Sequence, residues 1–119
     1  MEIIQVKDAI EKIIKQIGEV RRQLEEKGNA KAAAIADYDM QVALTLVKLR
    51  DSEPMEWRGR TVKNIPTTLA EKIAKGMCRD ERLYMEECIA GYNALTSNLQ
   101  ALMAQLNAYQ SIFRHLDET

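Results

Sequence analysis

Trp57, Arg58, Gly59, Arg60, Thr61, Val62 and Lys63 set the one tryptophan of the chain among three cations and a glycine. The chemistry open to such a set is recognition of an anion, phosphate above all. Arginine offers planar, bidentate donors to phosphate oxygens, the indole offers a face to a base or a guanidinium, and glycine lets backbone come close. Positive charge persists downstream, where Arg58, Arg60, Lys63, Lys72, Lys75, Arg79 and Arg82 outnumber Glu71, Asp80 and Glu81 by seven to three. A helix start expected near Thr67 and Thr68 adds free backbone N–H groups, which favour an anion. The expected ligand-binding set is therefore Trp57, Arg58, Arg60, Lys63, Thr67 and Thr68. A plainer alternative stands beside it. Asp51, Glu53 and Glu56 lie just upstream and are able to neutralise Arg58 and Arg60, and a loop tryptophan can simply plug the end of a helical bundle.

Catalytic patterns are missing elsewhere. His115 stands beside Arg114 with no nucleophile next to it, which suits a surface or capping histidine better than a general base. The neighbours Glu86 and Glu87, like Asp37 and Asp39, diverge around a helix and share no proton. No phosphate-cradling glycine motif, serine elbow or metal-binding pair of helical histidines occurs. Cys78 and Cys88 are ten residues apart, a rise of about 15 Å on one helix and more than twice the reach of a disulfide. Both read as reduced thiols, with Cys88 a small core residue, and two thiols with one histidine fall short of the four ligands a zinc ion wants. The expectation is a non-enzymatic protein with no cofactor and no metal.

The elements that must hold the basic segment are helical. Ile3, Val6, Ile10, Ile13, Ile17, Val20 and Leu24 alternate steps of three and four, a heptad helix expected over about 3–27. Ile4 and Ile14 widen its apolar face, as suits a bundle, while Glu11, Lys12, Lys15, Glu19, Arg22, Glu25 and Glu26 face water. Gly28 and Asn29 read as a stop followed by a new N-cap. A central helix is expected from Ala30 to Arg50, with one stripe at Ile35, Tyr38, Val42, Leu46 and Leu49. A second stripe at Met40, Leu44 and Val47 implies burial on both sides; alternation across 40–49 leaves a strand as the other option. Ser52, Pro54, Gly59 and Pro66 then break the pattern over 51–66, leaving an irregular loop with room for a small hairpin turning at Gly59. Thr68 and Glu71 form a capping box for a short helix carrying Leu69, Ile73 and Met77, which Gly76 ends or kinks. Asp80 is expected to cap the last helix.

That last helix carries no charge between Cys88 and Phe113. A run of this kind arises by chance with a probability on the order of one in a hundred or less at ordinary charge content. Met85, Cys88, Tyr92, Leu95, Leu99, Leu102, Leu106, Tyr109, Phe113 and Leu116 form a heptad seam along it. On the opposite face Ala94, Ser97, Ala101, Ala104, Ala108 and Ser111 keep the same steps, small enough to admit a second helix closely. Exposed helix faces normally carry lysine and glutamate, so this face is the expected oligomer interface and a homo-oligomer the expected state.

These elements make an all-α fold, a helical bundle or coiled-coil hairpin of two long heptad helices with a central helix, a short helix and the 51–66 loop. The 119 residues fit a single helical domain, 1–119. A net charge of -1 excludes a globally basic nucleic-acid binder or polybasic tether and leaves only local patches. Asn93, Ser97, Asn98, Gln100, Gln105 and Asn107 interrupt the most uncharged stretch, so no membrane span is expected. With no basic head and apolar h-region at its start, the chain is expected in the cytoplasm.

Ile65-Pro66-Thr67-Thr68-Leu69-Ala70-Glu71-Lys72 and Gln105-Leu106-Asn107-Ala108-Tyr109-Gln110-Ser111 give the chain a resemblance to small helical accessory proteins of bacteriophages and prophages. These two short segments hold no catalytic motif and carry no functional residue over. The resemblance implies a bacterial host cytoplasm and either an anti-defence protein, some of which sequester nucleotide signals, or a partner of the replication and recombination machinery. The function expected first is a helical oligomer that binds a nucleotide or a host protein through the Trp57 segment and inhibits or sequesters it. The alternative is a DNA-binding adaptor in phage DNA metabolism.

Overall fold

The structure, a computed structural model, describes residues 2–118. It is all-α apart from one small ribbon: α1 (Ile3–Arg50), β1 (Met55–Trp57), β2 (Arg60–Val62), α2 (Thr67–Met77) and α3 (Arg79–Asp117). The fold is the helical hairpin type that two heptad repeats separated by a loop require. Packing divides the chain into two compact units, one of Met1–Asn29 with Ala90–Thr119, the other Ala30–Ile89.

In the first unit the early part of α1 runs antiparallel to the later part of α3. Gly28 meets Tyr92, whereas Ile13 and Gln16 share a cleft with Gln105 and Tyr109. Val6, Ile13, Ile17 and Val20 are buried, each contributing roughly 1.5 to 3 kcal/mol of transfer free energy. The α3 partners respond differently. The eight seam residues of this unit from Tyr92 to Leu116 are all half-buried, as are Met85 and Cys88 in the second unit, and no described residue of α3 is fully buried. Ile4 and Ile14 do not widen the core; they stand 67% and 52% exposed, because only a narrow strip of α1 lies against α3.

The expected stop at Gly28 and Asn29 does not occur. α1 passes through both as one helix of 48 residues. The helix instead carries the Tyr92 ring here: a Cβ on Gly28 would stand 3.4 Å from it, close to ordinary contact. A glycine inside a helix costs about 1 kcal/mol relative to alanine, less than the burial of an aromatic ring returns.

The second unit bears out some local expectations and corrects others. Residues 40–49 are helical as expected, which removes the strand option. Burial on both sides fails: Tyr38 and Leu49 are buried, but Met40, Leu44 and Val47 are 59%, 50% and 56% exposed. Thr68 caps nothing, since Pro66 takes the N-cap position with φ -57° and ψ 139° and no side-chain cap forms. Thr67 already occupies the first helical position, which the fixed φ of the preceding proline favours, so Thr68 lies too deep to cap. Gly76 sits in the last turn of α2, one residue before its end at Met77, close to where the stop is expected, and the chain leaves helical geometry at Cys78, φ -97° and ψ 31°. Its amide is shared between the carbonyls of Ala74 and Lys75, both at 3.2 Å. α3 therefore begins at Arg79, and Asp80 with Glu81 sits inside the first turn, where carboxylates favour the helix dipole without capping it.

The core of this unit is built from small residues. Ala34, Ala70, Ala74 and Cys78 are buried along with Tyr38 and Leu49, and Thr45 Oγ1 lies 3.6 Å from Cys78 Sγ, tying α1 to the end of α2. Ala70 and Ala74 form the covered face of α2, while Leu69 is 48% exposed. Both cysteines are free thiols, Cys78 buried and Cys88 half-buried.

Candidate functional site

The basic segment folds into a two-stranded antiparallel ribbon with Met55 opposite Val62, Glu56 opposite Thr61 and Trp57 opposite Arg60. Its turn is Arg58-Gly59, with φ of 51° and 76°. Two successive left-handed residues make the type I′ turn whose twist matches a two-residue hairpin. Glycine adopts this conformation freely, but a side-chain-bearing residue there costs about 1 to 2 kcal/mol, and asparagine or glycine is the usual occupant. An arginine at this position is held in the turn at some expense to stability.

The period of two sorts the ribbon into faces. Met55, Trp57, Arg60 and Val62 share one face, of which only Arg60 is exposed; Glu56 and Thr61 share the other, exposed face, and Arg58 in the turn and Lys63 past the end of β2 are exposed as well. Trp57 anchors the ribbon. A Cβ on Gly76 would meet its ring atoms Cη2 and Cζ2 at 3.4 and 3.6 Å, so the indole lies on α2 where a glycine leaves room. The outer face is tied by Thr61, whose hydroxyl donates to Glu56 Oε1 at 2.6 Å.

The charges are distributed unevenly. Lys75 pairs with Glu71 at 3.2 Å, Arg82 with Glu86 at 3.2 Å, and Arg79 approaches Asp80 at 3.9 Å. Among the described residues no ion pair forms to Arg58, Arg60, Lys63 or Lys72. Asp51, Glu53 and Glu56 do not neutralise the ribbon, although each stands within nine residues of Arg60. Rigid pairing at 3 Å needs facing positions, and Glu56 faces Thr61.

Not all six expected ligand-binding residues converge. Trp57, Arg58 and Arg60 meet at the turn end of the ribbon, and Lys63 stands at its foot. Thr67 and Thr68 are exposed in the first turn of α2, eight or nine residues before the Gly76 on which the indole rests, about 12 to 14 Å along the axis. Lys72 lies nearer, one turn before Gly76 and on the same face. The sequence presents Lys72 only within a general positive stretch; its spacing of four from the glycine is the signal that joins it to the indole.

The second expected surface is also exposed. Ala94, Ser97, Ala101, Ala104, Ala108 and Ser111 all face away from the unit's core, and Met103 and Ile112 beside them are 43% and 40% exposed. A third feature was not foreseen: a cleft of about 310 Å³ lined by Ala34, Asp37, Asp80, Glu81 and Tyr84. The Cys88 thiol beside Tyr84 pushes its hydroxyl above the ordinary tyrosine range, with partial burial and the charges of Glu87 and Asp37 adding to the effect. Among the described residues no group of three or more His, Cys, Asp or Glu side chains is placed to hold a metal ion, and no helix is long and apolar enough to cross a membrane.

Compared with known protein families, characterised proteins and solved structures, the chain matches no family model, no characterised protein and no solved structure.

Proposed function

We propose that this is a non-enzymatic binding protein that takes a phosphate-bearing ligand on the Trp57–Lys63 ribbon. The observation that carries this is the set of four unpaired cations, Arg58, Arg60, Lys63 and Lys72, on or beside a ribbon anchored by Trp57, with three acids close by in sequence and none bound to them. Exposed arginines supply bidentate donors without first breaking an internal pair, and the anchored ribbon limits the ordering cost of binding. The arginine in the left-handed turn position fits the same reading, because that residue is chosen against local stability. Replacing Arg58 and Arg60 together by alanine is expected to weaken binding of a phosphate-bearing probe, ATP or a DNA oligonucleotide, at least tenfold with little change in melting. Wild-type binding by the double variant sinks the proposal.

The protein is further proposed to act as a homo-oligomer whose second copy covers the small-residue face of α3. Support comes from the contrast between exposed faces: α1 meets water with Glu11, Lys12, Lys15, Glu19, Arg22, Glu25 and Glu26, and α3 meets it with alanine, serine, asparagine and glutamine. Sedimentation of a 13.6 kDa species at micromolar concentration would count decisively against this.

A further inference from the structure

Resting on the anion-binding reading, we infer that the partner of the ribbon is a duplex nucleic acid held by its phosphate backbone, and not a mononucleotide or a single strand. The form of the site separates these. A mononucleotide needs a concave site that covers most of its surface. Here Arg58, Arg60 and Lys63 stand exposed on a two-stranded ribbon, open to an extended partner.

A single strand is bound by stacking its bases on free aromatic faces. Trp57 is the only aromatic residue of the ribbon, and its ring is laid on Gly76 of α2. No platform for successive bases remains. A duplex asks for neither pocket nor platform. It presents a regular line of phosphates and a major groove about 12 Å wide, which admits a two-stranded ribbon whose strands are about 5 Å apart.

The placement of charge agrees. Arg58 is in the turn, Arg60 begins β2 and Lys63 follows its end, so these cations are strung over about 10 Å. That spread matches a row of phosphates better than one cluster. Glu56, the acid of the ribbon, accepts a bond from Thr61 and joins neither arginine.

The test is fluorescence anisotropy of the full chain with a 20-base-pair duplex, a single strand of equal length and ATP, each over a range of salt concentrations. The duplex is expected to bind tightest, with log affinity falling against log salt at a slope of about -3 for three to four phosphate contacts. Arg58→Ala and Lys63→Ala should each weaken duplex binding severalfold whatever the base sequence and flatten the slope by about one. Lys12→Ala, in the other unit, should change neither. Unchanged Trp57 emission certifies that the ribbon variants keep the anchor, and the wild-type slope is decisive without any variant. ATP bound as tightly as the duplex, or a preferred single strand, overturns this inference and leaves the anion reading standing. Failure of all three probes overturns both.

Discussion

The two units of this protein are held by opposite means. The first buries branched aliphatic side chains, Val6, Ile13, Ile17 and Val20, in a heptad seam against α3. The second buries Ala34, Ala70, Ala74 and Cys78 around Tyr38 and Leu49, and leaves Met40, Leu44, Val47, Leu69, Leu83 and Tyr84 about half exposed. One core is made of branched aliphatic side chains, the other of small residues packed with one tyrosine and one leucine. The lesson is that hydrophobicity at helical spacing does not by itself name the core. The larger residues of α1 between Met40 and Val47 are at the surface, and the alanines of α2 are inside.

The contrast can be broken most severely in the first unit. Ile17→Ala removes a buried branched side chain and is expected to cost about 2 to 5 kcal/mol in urea unfolding, whereas Met40→Ala, from a side chain of similar size, should change stability by less than about 1 kcal/mol. Equal losses would mean that the exposed stripe is covered in solution. In the second unit enlargement should hurt instead: Ala74→Leu, at a residue with no exposed surface, is expected to destabilise by about 1 to 3 kcal/mol.

Glycine substitutions sharpen the comparison at smaller scale. Gly28→Ala is expected to stabilise by about 0.5 to 1 kcal/mol, because α1 is continuous there and the new methyl would lie 3.4 Å from the Tyr92 ring, close to ordinary contact. Destabilisation by a similar amount would mean that the chain breaks at this point. Arg58→Asn should likewise raise the melting temperature by relieving the left-handed turn while weakening ligand binding, so stability and function move apart at one residue.

The smallest expected effect is electrostatic and belongs to the first unit. The Arg22 guanidinium, by hydrogen bond and then by charge, holds the Glu19 carboxyl below its ordinary 4.5. A carboxyl lowered in the folded state adds stability that is present at neutral pH and is lost as pH falls through and below that value. The pair is exposed, so the contribution is slight and salt-sensitive. Melting curves from pH 7 to pH 3 should show a slightly shallower decline for Arg22→Gln than for the parent chain; identical slopes would show that the pair adds nothing.

Much of the fold was legible along α3, where the heptad steps mark the covered face. Every seam position read between Met85 and Leu116 is at least half covered, and every small position from Ala94 to Ser111 is open. The hairpin was legible from Gly59 and the loss of helical period around it. What escaped depends on partners. Gly28 has the local character of a stop, yet α1 continues there and carries the Tyr92 ring; Gly76 reads as the end of α2 and is also the bed for Trp57. Of the candidate site, the ribbon cations were legible, but Thr67 and Thr68 were joined to them by proximity in sequence and Lys72 was not, although helical spacing places it nearer the indole.

The sequence by itself determined the all-α class, the seam of each long helix, the uncharged back of α3 and the concentration of cations around one tryptophan. Those follow from residue type and spacing, which act locally. Only the tertiary structure decided that α1 is one helix, that alanines join Tyr38 and Leu49 in the core of the second unit, and that the basic segment is a ribbon anchored through Trp57 on Gly76. Each turns on whether a ring from a distant part of the chain comes to rest against a glycine or a small face, and that depends on side chains far apart in sequence meeting in space.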